Sequence, residues 1–210
     1  MSGRIILVAD DHPMFREALK LAISRVDPDA RVIEAGQLGD TAQAARSAER
    51  LDLILLDLRM PGAEGFSGVA LLHAERPETP ILVISSADQA DAAARARAYG
   101  AIGFVSKSAE LPALREAIAD ALSGKVASPD IAIEPAVDDM ARRIATLTPA
   151  EIKVLLGVLA GRLNKQIAWD LSISEATVKG HMTAIMRKMN VQNRTQAVLA
   201  AKALDLTFAD

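Results

Sequence analysis

Leu53 to Leu56 is an unbroken run of four apolar residues that delivers Asp57 and is closed by Pro61 and Gly62. A run this short and this uniformly apolar is the mark of a strand buried on both faces, and such strands belong to parallel sheets covered by helices. The same pattern recurs along the first half of the chain. Arg4 to Ala9 leads into Asp10 and Asp11, Ile81 to Ile84 into Ser85, and Ile102 to Val105 toward Lys107, with Arg31 to Ala35 as a weaker fifth strand. Helical stretches alternate with them: one starting just after the acidic pair, with Met14, Ala18, Leu19, Leu21, Ala22 and Val26 on its apolar side, then Thr41 to Ser47, Val69 to Ala74, Asp91 to Tyr99 and Leu111 to Leu122. Strict alternation specifies an α/β fold: a five-stranded, doubly wound parallel sheet with right-handed crossovers.

In such a sheet the carboxyl ends of the strands share one edge, which is where ligands bind. Asp10, Asp11, Asp57, Ser85 and Lys107 therefore converge, although almost a hundred positions separate the first from the last. Three neighbouring carboxylates repel one another and favour a divalent cation, and an all-oxygen donor set with room for water suits Mg²⁺. An ionised carboxylate is already a nucleophile, and a lysine ammonium and a serine hydroxyl beside it can hold phosphoryl oxygens. The set suits formation of an acyl phosphate on Asp57.

Beyond a Pro- and Gly-interrupted stretch, residues 124–146, which reads as a linker with a short helix at Met140 to Ala145, the chain is all helix. Thr148 and Glu151 form the T-x-x-E pattern of a capping box. Ile152, Leu155, Leu156 and Leu159 line the helix that follows, Lys165 to Leu171 make a second, and Ser174 caps a third running to about Met189. Val178, Met182, Ile185 and Met189 recur at helical spacing and leave Lys179, Gly180, Thr183 and Arg187 on the opposite, basic side. A short helix, a tight turn and a helix with a polar outer face are the layout of a helix-turn-helix. Charge agrees: up to residue 140 there are 14 Lys and Arg against 22 Asp and Glu, and beyond it 10 against 5. A basic segment on an acidic chain points to a polyanionic partner.

With no cysteine, disulfide scaffolds, thiolate zinc sites and cysteine nucleophiles are excluded. No stretch approaches the roughly twenty apolar residues of a membrane span, so a cytoplasmic protein with no membrane partner is expected.

The order Asp10-Asp11, Asp57 to Gly62 as D-x-x-M-P-G, Ser85 and Lys107 resembles the receiver domain of two-component response regulators, over residues 1–123. Ser85 lies 28 residues after Asp57, and Lys107 lies 22 after Ser85, which suits that family. The resemblance implies a flavodoxin-like fold in which Asp57 accepts phosphate from a sensor histidine kinase or other phosphodonor. It also implies Mg²⁺ held by Asp11, Asp57 and the Arg59 main-chain carbonyl, with Asp10 acting through a water. Ser85 and Phe104 would be the switch pair. The Arg59 side chain, beside the acceptor, steers donors or alters how long the phosphate survives, or it is a solvated surface group.

Residues 147–210, and above all NKQIA, ISEATVKGH and NRTQAV, are similar to the LuxR-type output domain of the NarL/FixJ subfamily. That likeness implies that Lys179, Gly180 and Thr183 face the groove of double-stranded DNA. Lys165, Thr177, Lys188 and Arg194 would contact phosphates. A last helix, Thr195 to Leu206, would pair two copies through Ala197, Val198, Ala201 and Leu204. Ala150 and Lys153 depart from the residues usual at their positions, and Gly180 is smaller than expected.

The leading expectation is a transcription factor controlled by phosphorylation, dimeric when phosphorylated or bound to DNA, with no turnover of an external substrate. A regulator independent of phosphate, whose receiver serves only to dimerise, is one alternative. An aspartate-nucleophile phosphatase is another, weakened because Arg59 stands where that chemistry wants a second acid.

Overall fold

The computed structural model describes residues 3–62, 64–86, 92–125, 135–204 and 206–207. In chain order the elements are β1 (Ile5–Ala9), α1 (Pro13–Val26), β2 (Arg31–Ala35), α2 (Leu38–Ser47), β3 (Leu53–Leu56), β4 (Glu64–Gly65), α3 (Ser67–Glu75), β5 (Ile81–Ser85), α4 (Ala92–Ala98), β6 (Gly103–Ser106) and α5 (Leu111–Leu122). They are followed by α6 (Pro135–Ala145), α7 (Pro149–Leu159), α8 (Asn164–Asp170), α9 (Glu175–Met189), α10 (Arg194–Lys202) and β7 (Leu206–Thr207).

The main sheet has the order β2-β1-β3-β5-β6, all parallel, with β3 at its centre. This is the doubly wound parallel fold that the alternation specifies. Both faces are apolar because the side-chain period of a strand is two. Ile6, Val8, Leu53, Leu55, Leu82 and Ile84 pack with Leu19, Ile23, Leu114 and Ile118 of α1 and α5. Leu7, Ala9, Ile54, Leu56, Ile81 and Val83 pack against α2, α3 and α4.

The second apolar cluster does not stop at the sheet. It continues without a break through Ile144, Leu155, Ile185 and Ala197 of the helical domain, and α6 touches α3, α4 and α9. At the seam Lys153 Nζ lies 2.7 Å from Glu75 Oε1, to which Arg46 also donates at 2.8 Å. Burial would push the Glu75 carboxyl up, but the hydrogen bonds from Lys153 and Arg46 outweigh it and hold the group below its ordinary value. Lys153, unusual at its position, thus has a partner on the α/β domain.

Several expectations are corrected. Met14 and Leu21 are exposed, at 83% and 49%, and the buried stripe of α1 is Leu19, Ala22 and Ile23. The first turn of α1 stands at the rim of the acidic site, lining a cleft with Ser86 and Lys107. The linker helix begins at Pro135, well before Met140, since proline at a first helical position lacks only a donor that would be idle there. Residues 126–134, which hold Pro129 and Glu134, lie outside the described residues, as does Asp91. The last helix ends at Lys202, and Leu206–Thr207 instead form a strand antiparallel to β4. Pairing there supplies backbone partners while burying Leu206. Among the described residues no helix is long and apolar enough to cross a membrane.

His73, on α3, packs so closely on Gly100 that a Cβ there would lie 2.5 Å from the ring, and Gly100 has φ +103. Only glycine fits on both counts. Burial lowers the pKa of His73 from 6.5. The unfolded chain therefore binds more protons in mild acid, so the contribution of this ring is intact above pH 6.5 and is lost as pH falls below it. Urea midpoints measured from about pH 7.5 to about pH 5.5 should fall less for His73→Gln than for wild type. Parallel pH profiles would show that His73 does not contribute.

Candidate functional site

The acids are placed by extensions of the sheet ladder one residue past each strand. Asp10 N–H donates to Ala35 O at 3.1 Å, Asp57 N–H to Ala9 O at 2.8 Å, and Lys107 N–H to Ser85 O at 3.0 Å. The backbone is thus still regular where the chemistry begins. Asp10 and Asp57 are buried, and Lys107 Nζ lies 2.7 Å from an oxygen of each. Burial alone would lower the lysine, but its hydrogen bonds to Asp10 and Asp57 more than reverse this and raise its pKa, so it is cationic at neutral pH. The ammonium also sits 4.9 Å from the Phe15 ring centroid.

The other oxygens have fixed partners as well. Arg59 N–H donates to Asp57 Oδ1 at 3.2 Å, and His12 N–H to Asp10 Oδ1 at 2.8 Å. The His12 ring, at the start of α1, brings Nδ1 to 2.6 Å from Asp11 Oδ1 and 3.2 Å from Asp10 Oδ1. Sequence reading passed over His12; its signal was adjacency to the acidic pair. Ligand atoms of Asp10, Asp11, His12 and Asp57 lie within 4.8 Å of one another. One ammonium faces three carboxylates there, and the surplus of negative charge with oxygen donors fits a hard divalent cation such as Mg²⁺.

Ser85 is buried, and among the described residues its Oγ has no hydrogen-bond partner. Ser85 pairs in register with Ser106, so Phe104, two residues earlier and half-buried, lies on the same side of β6 as Ser106. A cleft of about 400 Å³ lined by His12, Met14, Phe15, Ser86 and Lys107 opens the site to solvent.

In the helical domain the Thr148–Glu151 capping box is present, and Ser174 Oγ accepts from Thr177 N–H at 3.0 Å to start α9. Val178, Met182, Ile185 and Met189 are buried. Lys165, Thr177, Lys179, Gly180, Thr183 and Arg187 are exposed.

Two proposed phosphate contacts are engaged elsewhere. Lys188 Nζ donates to Glu151 Oε2 at 2.7 Å and to Thr146 O at 3.1 Å. Arg194 donates to Asn164 Oδ1 and to Arg162 O, both at 2.8 Å. In this structure both cations tie helices together. The proposed pairing residues Ala197, Ala201 and Leu204 are likewise buried within their own chain, with Val198 half-buried; Leu199, at 63%, is the apolar residue of α10 that faces solvent. Small residues every four positions let α10 lie close on its own domain. Sequence reading also passed over Trp169, 86% exposed on α8, which the inward period of Ile167, Ala168 and Leu171 leaves on the outside.

Two families match the chain in succession. The family described as "Response regulator receiver domain" matches residues 6–119, and "Bacterial regulatory proteins, luxR family" matches residues 145–201. The chain is 38% identical over 213 residues to the glycerol metabolism activator of Pseudomonas putida, covering 96% of both chains. It is 35% identical to the nitrate/nitrite response regulator protein NarL of Escherichia coli K12, covering 92% of this chain and 93% of that one. The RcsB response regulator of Salmonella typhimurium shares the fold, with TM-score 0.56 at 20% identity over 97% of this chain and 100% of that one.

Among the described residues nothing lies within 4 Å of where a Cβ at Gly180 would stand, so no contact with them requires glycine there. Gly180→Ala should stabilise the protein by about 0.5–1 kcal/mol, the ordinary helix-interior difference, read as a higher urea midpoint. A lower midpoint would reveal a packing constraint at Gly180.

Proposed function

This chain belongs to the response regulators that join a receiver domain to a luxR-family DNA-binding domain and act as DNA-binding transcription regulators, and from that premise we propose that phosphorylation of Asp57 by a sensor histidine kinase, or by a small acyl phosphate, sets its affinity for an operator. The observation that carries this is the Lys107 ammonium 2.7 Å from both Asp57 and Asp10, at the mouth of an open cleft. Asp57 supplies the carboxylate oxygen that forms the new O–P bond as the bond to the donor's leaving group breaks. Lys107 follows the charge, exchanging a carboxylate oxygen for a phosphoryl oxygen. Asp10, Asp11, Asp57 and the Arg59 carbonyl would hold Mg²⁺, which offsets charge on the phosphoryl group when bound. The buried Ser85 hydroxyl, without a partner among the described residues, donates to the phosphoryl group, and Phe104 moves with it.

Residues 1–123 serve as the receiver and 147–210 as the DNA-binding unit. On this reading α9 enters the major groove with Lys179, Gly180 and Thr183 toward base edges, and exposed Lys165 and Thr177 contact phosphates. Two copies bind paired half-sites from the cytoplasm. Lys188 and Arg194 brace the domain in the arrangement seen here.

With acetyl phosphate and Mg²⁺, wild type should gain one phosphate by intact mass and Asp57→Asn none; equal labelling of both would refute the assignment. Operator affinity should rise about 5- to 150-fold on phosphorylation. Ser85→Ala should take up phosphate yet lose much of that gain, and a full gain would place the coupling elsewhere. Lys179→Ala should weaken operator binding about 5- to 150-fold, the range for one lost base contact; normal binding would remove Lys179 from the interface.

A further inference from the structure

Between the two domains lies a cavity of about 400 Å³, within the range of about 300–1,000 Å³ usual for small-molecule pockets, which form preferentially at domain interfaces. Its walls are apolar and come from both sides: Leu38, Ala42 and Leu71 from the α/β domain, Leu156, Ile167 and Leu171 from the helical one. Arg46 follows Leu38 and Ala42 at spacings of four along α2, and Lys153 precedes Leu156 on α7, so each helix presents an apolar wall together with a cation.

The two cations meet. Arg46 and Lys153 both donate to Glu75 Oε1, at 2.8 and 2.7 Å, so one carboxylate oxygen holds two positive groups. Arg162, also in the lining, is matched by Asp170 at 2.5 Å. One positive charge is thus in surplus among these groups, beside an apolar hollow. The side chains of Arg46 and Lys153 are 44% and 30% exposed. A guanidinium carries five donors and an ammonium three, so each has donors beyond the bond to Glu75. Like charges held on one oxygen repel, and a second anion offsets that repulsion.

We propose that this cavity binds an amphipathic organic monoanion, a medium-chain or aryl carboxylate, with its apolar body between α2 and α7 and its carboxylate on Lys153 and Arg46. A neutral apolar molecule would leave the surplus charge unmatched. A nucleotide or other polyanion would exceed that charge and set polar groups against apolar walls, at a cost in desolvation. The site is independent of the phosphorylation reading, since its lining includes none of Asp10, Asp11, Asp57, Ser85 and Lys107. A ligand touching both walls binds the packed arrangement of the domains and not a separated one, so its concentration biases the chain toward packing.

Octanoate is the probe, with octanol as the same chain without the charge and acetate as the same charge without the chain. Titrated calorimetrically into full-length protein, octanoate should bind once per chain and about 10-fold or more tighter than either, the factor a hydrogen bond to a charged group supplies. Lys153→Met keeps the aliphatic stem, so it should lower octanoate affinity about 10-fold while leaving octanol unchanged. Ala42→Leu fills the cavity, and octanoate binding should be lost while the urea midpoint holds or rises. Bound octanoate should slow hydrogen exchange in α2 and α7 together. Absence of octanoate binding, equal affinities for octanoate and octanol, or full octanoate affinity in Lys153→Met overturns the proposal. So does octanoate binding that survives in folded Ala42→Leu, or protection confined to one domain. If Ala42→Leu does not fold, the Lys153→Met titration and the exchange pattern decide.

Discussion

One ammonium held between two buried carboxylates is the interaction around which this molecule is arranged. Two like charges a few ångströms apart in a shielded site repel by about 4 kcal/mol at the effective dielectric of such places, and Lys107 offsets that repulsion while leaving negative charge in excess. The arrangement is poised, not closed. The sheet sets the distances: three ladder hydrogen bonds continue past the strands and fix Asp10, Asp57 and Lys107 before any side chain is considered. A strand displaced by one residue would turn the acid into the core and an aliphatic residue into the site. That is why β3 is apolar at all four positions and why its neighbours match it in register.

The features legible in the sequence were those with a period. Buried strands announce themselves by continuous apolar runs, the core side of α9 by spacing of three and four, and the start of α7 by its capping box. Because the topology of an alternating chain is nearly determined, convergence of the acids with Ser85 and Lys107 followed from order alone. What could not be read was the use made of individual cations. Lys188 and Arg194 look in sequence like Lys165 and Lys179, and only the approach of Glu151, Asn164 and the carbonyls of Thr146 and Arg162 reveals that they join helices. Likewise Ala197 and Ala201 mark a close-packed face, but small residues do not say whether the neighbour is the same chain or another.

Contacts between domains were hidden for a related reason. Glu75 and Lys153 are 78 residues apart and belong to separately folding patterns, so neither gives a local signal of the other. The departure at Lys153 was visible, but its partner was not. β7 is two residues long, too short to show alternation, and the far edge it completes is just as short. Such pieces form where a strand edge elsewhere is already in place, so their stability is borrowed from tertiary packing and leaves little trace in local composition.

The arrangement bears on which step phosphorylation would have to control. A receiver can restrain a DNA-binding domain by covering its groove-facing helix or by preventing two copies from pairing. Here the outward residues of α9, among them Lys179, Gly180 and Thr183, are exposed although the two domains are packed together. Covering is therefore not what this conformer does. The receiver instead holds the end of α10, through Tyr99 and the strand at Leu206, and shares a continuous apolar cluster with α6 and α7. A single domain with a free α9 has one half-site's worth of contacts, and the second half-site needs a second copy in fixed register. On the proposed reading, restraint at α10 would act on register between copies while leaving groove access open. It predicts a resting protein that binds DNA weakly and without two-fold order, and an active one that differs in cooperativity more than in the contacts made by each α9.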